Sequence, residues 1–327
     1  MSKPLKKGYT TGVHASFAFF SALSTFVATR STTTAKSNKM ENDDLDVTKG
    51  AEIVVTLSEN FEELQCNPLP HQPYTIGSLK LYAGVGVGVV TKEGLKPPKG
   101  YPAINPTPLE ALKTIHAKVS REWKDPIYGT IGITHGEQIA KQTANAKVGV
   151  MGGLSILGTT GWVKPISADA YLDSIRAELH VAKANGYDHA ILTLGNRSLE
   201  YAKEQYEAIQ IVEIGNFVYD ALTIVQDLGF KNASFICGIG KATKVMQGHK
   251  NTHNRFGQID FEALKALIQE ELKVTVDIEA TKTVKGLTKQ LEKIGKLEPF
   301  YSMIAKKSDQ QLSSWFKMIH IQTMILK

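Results

Sequence analysis

The rhythm of apolar positions changes near residue 148. Before it, helical and alternating patterns follow one another in no regular order; after it, short apolar runs alternate with amphipathic stretches. Ala15, Phe19, Leu23 and Phe26 recur at helical spacing and predict a helix over 13–29, behind a Gly-Tyr-Thr-Thr-Gly turn at 8–12. A polar stretch occupies 30–46, and apolar runs predict strands at 51–57, 84–91 and 127–134, the last ending in the His135-Gly136-Glu137 turn with a short helix at 137–143. Pro97, Pro98, Pro102, Pro106 and Pro108 make Thr91 to Pro108 a stiff, irregular loop. This mixture predicts an α+β domain over residues 1–147.

Beyond it, strands are expected at 148–151, 189–194, 211–214 and 233–237, with helices at 168–185, 198–207 and 217–228 between them. Helices at 260–272, 282–294 and 298–317 follow, and Ile319 to Leu326 can add a last strand. Regular alternation predicts a mainly parallel sheet with right-handed crossovers, a Rossmann-like α/β domain over 148–327. Ligands of such sheets bind beyond the carboxyl ends of the strands. Those ends carry Gly152-Gly153, Gly195-Asn196, Gly215-Asn216 and Gly238-Ile239-Gly240-Lys241.

A chain of 327 residues is long for one core and favours two domains. Hydrophobic residues at 42% and charged ones at 21% are those of an ordinary globular protein, and no uninterrupted apolar run has a membrane helix's length. Lys3, Lys6 and Lys7 ahead of an apolar stretch imitate a secretory leader, but Ser16, Ser21, Ser24 and Thr25 dilute that stretch, so a buried helix of a cytoplasmic protein is expected. The net charge of +6 is scattered rather than striped, which suits a small polyanion and not a nucleic-acid track. Cys66 and Cys237 stand at no metal-ligand spacing and imply no disulfide framework.

The densest chemical signal is 148–165, where Gly152, Gly153, Gly158 and Gly161 accompany Ser155, Thr159 and Thr160. Backbone this bare suggests close approach to a ligand, although neither G-x-G-x-x-G nor a phosphate loop is present. Asp43, Asp44 and Asp46 lie close enough to repel, which raises the affinity of one for a proton and offers an acid or base. Residues 248–255 hold His249, Lys250, Asn251, His253 and Arg255, a polar segment suited to anions or proton transfer. His249 and His253 have the i, i+4 spacing of a helical metal pair, but Gly and Asn neighbours argue against a helix there. Lys241 and Lys244 follow Gly238 and Gly240, where a helix N-terminus already favours an anion.

These segments together resemble the CbiD family, the cobalt-precorrin-5B C1-methyltransferases of anaerobic cobalamin biosynthesis. The resemblance rests on Gly8-Tyr9-Thr10-Thr11-Gly12, the Asp43 to Thr48 segment, Gly84-Val85-Gly86 leading to Val90 through Leu95, and Pro102-Ala103-Ile104-Asn105-Pro106. It continues through Gly152 to Gly161, Gly238-Ile239-Gly240-Lys241 and Asn251-Thr252-His253, in the family's order. It implies methyl transfer from S-adenosylmethionine to ring carbon C1 of a cobalt-containing tetrapyrrole, with an α+β domain joined to a Rossmann-like one. S-adenosylmethionine is then a cosubstrate, cobalt arrives with the substrate, and no metal bound by the protein is expected.

On that reading Gly152, Gly153, Ser155, Gly158, Thr159, Thr160, Gly161, Asn196 and Asn216 are the expected cofactor contacts. Thr10, Thr11, Lys241, Lys244, Asn251 and Arg255 meet the polyanionic substrate, while Asp43, Asp44, Asp46 and His253 are the candidates for proton transfer. No nucleic-acid or membrane partner is expected; homo-oligomerisation and transient contact with neighbouring pathway enzymes stay open. One departure stands out: where the family usually has a small residue and a cysteine before an alanine-rich helix, this chain has Val13-His14 and then Phe17, Phe19 and Phe20. A cysteine nucleophile at that position is therefore not expected. A tetrapyrrole carrier that has lost catalysis, and an enzyme using a phosphorylated nucleotide, are the alternatives.

Overall fold

In a computed structural model covering residues 8–40, 47–158, 161–163, 168–281 and 283–327, the helical stripe near the N-terminus becomes the centre of a core. The chain forms two units, Met1–Ala170 and Tyr171–Lys327. In the first, β1 (Gly8–Tyr9) leads into α1 (Thr11–Thr29), whose residues Ala15, Phe19, Leu23 and Phe26 are all fully buried. The helix ends where Arg30 turns left-handed (φ 55°) and its N–H returns to the Phe26 carbonyl at 2.8 Å. By length and a mean hydropathy of 1.3, α1 is the one helix among the described residues able to cross a membrane. Half of that stretch is buried, against β-strands and a second helix of the same unit, so it is built as a core helix.

The strands that follow are β2 (Thr33–Asn38), β3 (Glu52–Ser58), β4 (Tyr74–Ile76), β5 (Leu79–Ala83), β6 (Gly86–Val87) and β7 (Val89–Val90). Then come α2 (Pro106–Val119), β8 (Ile127–Ile133), α3 (Gly136–Ala140), β9 (Val150–Met151), β10 (Gly153–Leu154) and β11 (Trp162–Val163). A five-stranded mixed sheet has the order β2-β3-β8-β5-β4. Ile53, Val55 and Leu57 alternate inward along β3 as a half-buried strand requires. α1 packs on β2, β3 and α2. The stiff proline loop is shorter than expected, because Pro106 occupies the first turn of α2, where its missing N–H costs nothing.

The strand expected at 148–151 does not join a parallel sheet. Val150–Met151 runs antiparallel to β7, Gly153–Leu154 runs parallel to β6, and Trp162–Val163 pairs antiparallel with β1. Local pairing with short strands of the first unit satisfies this backbone, so the glycine-rich segment belongs to the α+β unit.

In the second unit α4 (Ala168–Ala184), which begins just before the division, precedes β12 (His189–Thr193), α5 (Asn196–Gln205), β13 (Ile211–Glu213), α6 (Val218–Asp227), β14 (Asn232–Gly238) and α7 (Ile239–Met246). α8 (Phe261–Leu272), α9 (Val284–Lys293), α10 (Leu297–Trp315) and β15 (His320–Leu326) complete it. Its sheet has the order β13-β12-β14-β15, with every neighbouring pair parallel. Ala233 to Cys237 are all buried, the continuous apolar run of a strand covered on both faces. Leu192 and Phe235 enter one core, Ile191 and Ile236 the other. The chain leaves β12 for β13 on one side and then returns to β14 on the other. That reversal makes the carboxyl ends of β12 and β14 a topological switch point, the place where open parallel sheets bind ligands.

Candidate functional site

The candidate residues fall into two groups, one in each unit. In the first unit, Thr11 is the first residue of α1 and reaches across to the glycine-rich segment. Its Oγ1 donates to the Leu157 carbonyl at 3.2 Å and accepts the Leu157 N–H at 2.8 Å. The Gly12 N–H adds a third bond, to the same carbonyl at 2.8 Å. Thr11 is 6% exposed and its hydroxyl is spent inside the protein. Thr10 differs: it is the N-cap of α1, yet its side chain makes no capping bond, and its buried Oγ1 has no hydrogen-bond partner.

The glycines of 152–158 have an internal reason. A Cβ on Gly152, whose φ is +75°, would stand 2.6 Å from Asn67 Nδ2, which donates to the carbonyls of Val87 at 2.8 Å and Gly152 at 3.0 Å. A Cβ on Gly153 would meet the Gly86 carbonyl oxygen at 2.3 Å, and one on Gly158 would meet Thr10 Oγ1 at 2.5 Å. The protein's own atoms fill the space the missing side chains leave, so close approach of a ligand does not explain these residues. Ser155 is half-buried in the same stretch, and Gly161 accepts from the Thr10 N–H at 3.0 Å. Thr159 and Thr160 lie outside the described residues, as do Asp43, Asp44 and Asp46.

In the second unit the carboxyl ends of the strands carry a different kind of glycine. A Cβ on Gly195, Gly238 or Gly240 would meet nothing within 4 Å, and Gly238 has an ordinary φ of −80°. Asn196, at the start of α5, is exposed beside Gly195. Next to this edge Lys241 Nζ donates to Asn216 Oδ1 at 2.8 Å and to the Thr252 carbonyl at 2.9 Å. Lys244 Nζ donates to the same carbonyl at 3.2 Å, to Asn254 Oδ1 at 2.8 Å and to the Gly257 carbonyl at 2.8 Å. The fully buried Thr252 is the hub of the loop: its Oγ1 donates to Asn216 Oδ1 at 3.0 Å and its N–H to the Asn216 carbonyl at 3.0 Å.

Lys244 is 5% exposed, and all three of its protons have acceptors. It therefore pins the loop, where a substrate contact was expected. Lys241 keeps one proton beyond its two bonds. Burial lowers the pKa of both ammonium groups, and the neighbouring Lys244 charge adds to the lowering at Lys241. Both share a carbonyl and neither has a carboxylate among its acceptors, which leaves a positive spot at this edge. Asn216, expected to touch a cofactor, spends its Oδ1 on Lys241 and Thr252.

His253 is exposed, and its Nδ1 accepts the Arg255 N–H at 3.1 Å, while its own N–H donates to Asn251 Oδ1 at 2.9 Å. These turns replace a helix, so His249 and His253 do not share a helical face; the His249 ring lies against Gly257 instead. Among the described residues no three His, Cys, Asp or Glu side chains gather as a metal site. Arg255 is exposed on the same loop. Asn67 and Thr252 were not recognisable in advance, since an Asn or Thr that organises backbone has no pattern of its own.

Comparison with known proteins identifies the family. The family model described as CbiD matches residues 23–165. The cobalt-precorrin-5B C(1)-methyltransferase of Methanocaldococcus jannaschii is 34% identical over 290 residues, 86% of this chain and 76% of that protein. The protein of the same name from a Geobacillus species is 35% identical over 299 residues, 82% of this chain and 78% of its own. A crystal structure of a cobalamin biosynthesis protein from Archaeoglobus fulgidus aligns with 77% of this chain and 83% of its own, at 22% identity and a TM-score of 0.36. Identity of this order, sustained across most of both chains and both units, means that the chain belongs to the CbiD family.

Proposed function

We propose that the protein transfers a methyl group from S-adenosylmethionine to ring carbon C1 of cobalt-precorrin-5B, giving cobalt-precorrin-6A. The observation that carries this reading is the 34% identity over 86% of the chain to a cobalt-precorrin-5B C(1)-methyltransferase. In the reaction the ring carbon forms a bond to the methyl carbon as the methyl–sulfur bond breaks. The electron pair leaves on sulfur as a neutral thioether, and the positive charge of the sulfonium passes to the macrocycle. Holding the ring carbon in line with the methyl–sulfur bond supplies most of the rate, so few side chains need be indispensable.

The parallel sheet of the second unit, with its switch point between β12 and β14, supports a donor site beyond the carboxyl ends of those strands. Gly195, Gly238 and Gly240 leave room for close approach there, Asn196 offers a side-chain amide, and the remaining proton of Lys241 suits the donor's carboxylate. This replaces Gly152, Gly153 and Gly158 as donor contacts, because the places a Cβ would take there are filled from within. Arg255 and Asn251 of the adjoining loop suit carboxylates of the substrate. The first unit offers Thr10, with its unpartnered hydroxyl, for the same purpose. Asp43, Asp44 and Asp46 remain the proposed acid or base, with His253 second.

Anaerobic incubation with cobalt-precorrin-5B and methyl-labelled S-adenosylmethionine, followed by mass spectrometry of the macrocycle, tests the reading. One labelled methyl gained per macrocycle is the expected result. Tight binding of the macrocycle without transfer would overturn it in favour of a carrier.

A further inference from the structure

Around the start of α1 lies an aromatic surface that no role above uses. The Tyr9 ring stands 4.5 Å from the Trp162 ring, tilted by 39°, and 6.3 Å from Phe17 in an edge-to-face arrangement. Phe17 is 56% exposed and Trp162 50% exposed. Phe17 and Trp162, both half in water and each packed on Tyr9, make an apolar face of the kind a folded protein keeps for a partner. Beside it is a hollow of about 60 Å³ lined by Thr10, Gly12, Ser16, Pro108, Gly158 and Gly161 among others. That is room for a carboxylate group or a few waters.

The hollow's lining is almost wholly apolar, with the Thr10 hydroxyl as its polar feature. Thr10 Oγ1 is buried without a hydrogen-bond partner, which leaves its desolvation unanswered. Thr10 caps a helix of 19 residues that has no acidic side chain in its first turn. The positive end of that helix is met by a neutral group, the Leu157 carbonyl, which accepts the Gly12 N–H at 2.8 Å. An apolar face beside an unanswered hydroxyl and a positive helix end complements a molecule with a broad apolar face and carboxylates on its rim.

We propose that the Tyr9, Phe17 and Trp162 rings form a wall on which the tetrapyrrole lays one face, while one peripheral carboxylate enters the hollow at Thr10. The proposal rests on the methyltransferase reading for its ligand and adds the residues that hold it. His14 is no part of the contact surface. It is 4% exposed, its Nδ1 is 2.8 Å from Ser37 Oγ, and its Nε2 accepts the Met40 N–H at 3.4 Å.

The test uses the full chain and two probes, cobalt-precorrin-5B for turnover and cobyrinic acid, a stable cobalt corrinoid polycarboxylate, for binding. Trp162→Ala and Phe17→Ala remove exposed rings, and each is expected to weaken cobyrinic acid binding by about tenfold and to raise KM for the macrocycle more than it lowers kcat. Thr10→Val keeps the shape and removes the orphan hydroxyl; it is expected to be at least as stable to urea as the wild type yet to bind cobyrinic acid more weakly. The heptamethyl ester of cobyrinic acid is expected to lose the difference between wild type and Thr10→Val. Equal cobyrinic acid binding by wild type and both ring variants would overturn the wall, whatever the activity. If the wild type binds cobyrinic acid but transfers no methyl group, the methyltransferase reading falls and the wall is judged by binding alone. If the wild type binds neither macrocycle, both fall.

Discussion

Thr11 and Leu157 hold each other by two reciprocal hydrogen bonds across 146 residues of sequence, hydroxyl to carbonyl at 3.2 Å and N–H to hydroxyl at 2.8 Å. With the backbone bonds of Thr10 and Gly12 to Gly161 and Leu157, this pair ties the start of α1 to the glycine-rich segment. Thr11→Val keeps the volume and leaves the Leu157 N–H without its acceptor in a partly buried place. A loss of about 1–3 kcal/mol in urea unfolding is expected. An unchanged midpoint would mean that the hydroxyl is available to a ligand after all.

Glycines of the two units should answer to substitution in opposite ways. Gly152→Ala sets a side chain in left-handed backbone and 2.6 Å from the Asn67 amide, so destabilisation of about 2 kcal/mol or more is expected. Gly238→Ala meets nothing within 4 Å and no backbone strain. Its stability is expected to stay within about 1 kcal/mol of the wild type, or to rise, while KM for S-adenosylmethionine increases. Thermal melts and steady-state kinetics of the two variants separate internal packing from ligand approach.

The contrast also marks where the sequence was readable. The stripe Ala15, Phe19, Leu23 and Phe26 fixed α1, and the apolar runs of β12 and β14 were visible because a strand buried on both faces has no polar alternation to obscure it. β2, with the sequence Thr-Thr-Ala-Lys-Ser-Asn, was hidden because an edge strand borrows its pairing from β3 and needs little apolar side chain of its own. The meaning of Gly152 was hidden for a similar reason. Its need for a missing Cβ is set by Asn67, 85 residues away, and local sequence carries no sign of that neighbour.

Histidine burial gives a pH dependence. Burial, and then the nearby Lys39 charge, hold His14 below the ordinary imidazole value of 6.5; burial alone lowers His116, and burial with His320 lowers His189. Between the lowered native values and 6.5 the unfolded chain binds more protons than the folded one. Stability therefore rises with pH through that window and is lost on acidification. Urea midpoints should fall as pH is lowered from 8 to about 5.5, in the window where imidazoles titrate. A flat profile would contradict the burial of these rings.

The two thiols lie in different units, and Cys237 reports on the core of the second. Cys237 is fully buried in β14 and its thiol is pushed far up by burial, whereas Cys66 is half-buried and raised by burial alone. A disulfide reagent at pH 8 is expected to modify Cys66 slowly in the native chain and Cys237 only on unfolding. Rapid reaction of both would mean that β14 is not the inner strand described.

Lys241 and Lys244 lie one helical turn apart and share the Thr252 carbonyl, yet they should fail differently when replaced. Lys244 gives its three protons to three acceptors in a nearly sealed place, so Lys244→Met strands two carbonyls and the Asn254 side chain and frees the 249–257 loop. A loss of about 2–3 kcal/mol is expected, the cost of hydrogen bonds to a charged group. Thr252 keeps its bonds to Asn216 in that variant, so the loop loosens beyond Thr252 rather than at it. Lys241 has spent two protons and holds one beside Gly238 and Gly240. Lys241→Gln can still donate to Asn216, so its stability should fall less, and its main effect should be a rise in KM for S-adenosylmethionine. That rise should shrink as salt is added, because salt screens the wild-type charge and a neutral amide has none to screen. Equal stability losses with no change in either KM would show both lysines to be loop anchors and would move the donor's carboxylate away from this edge.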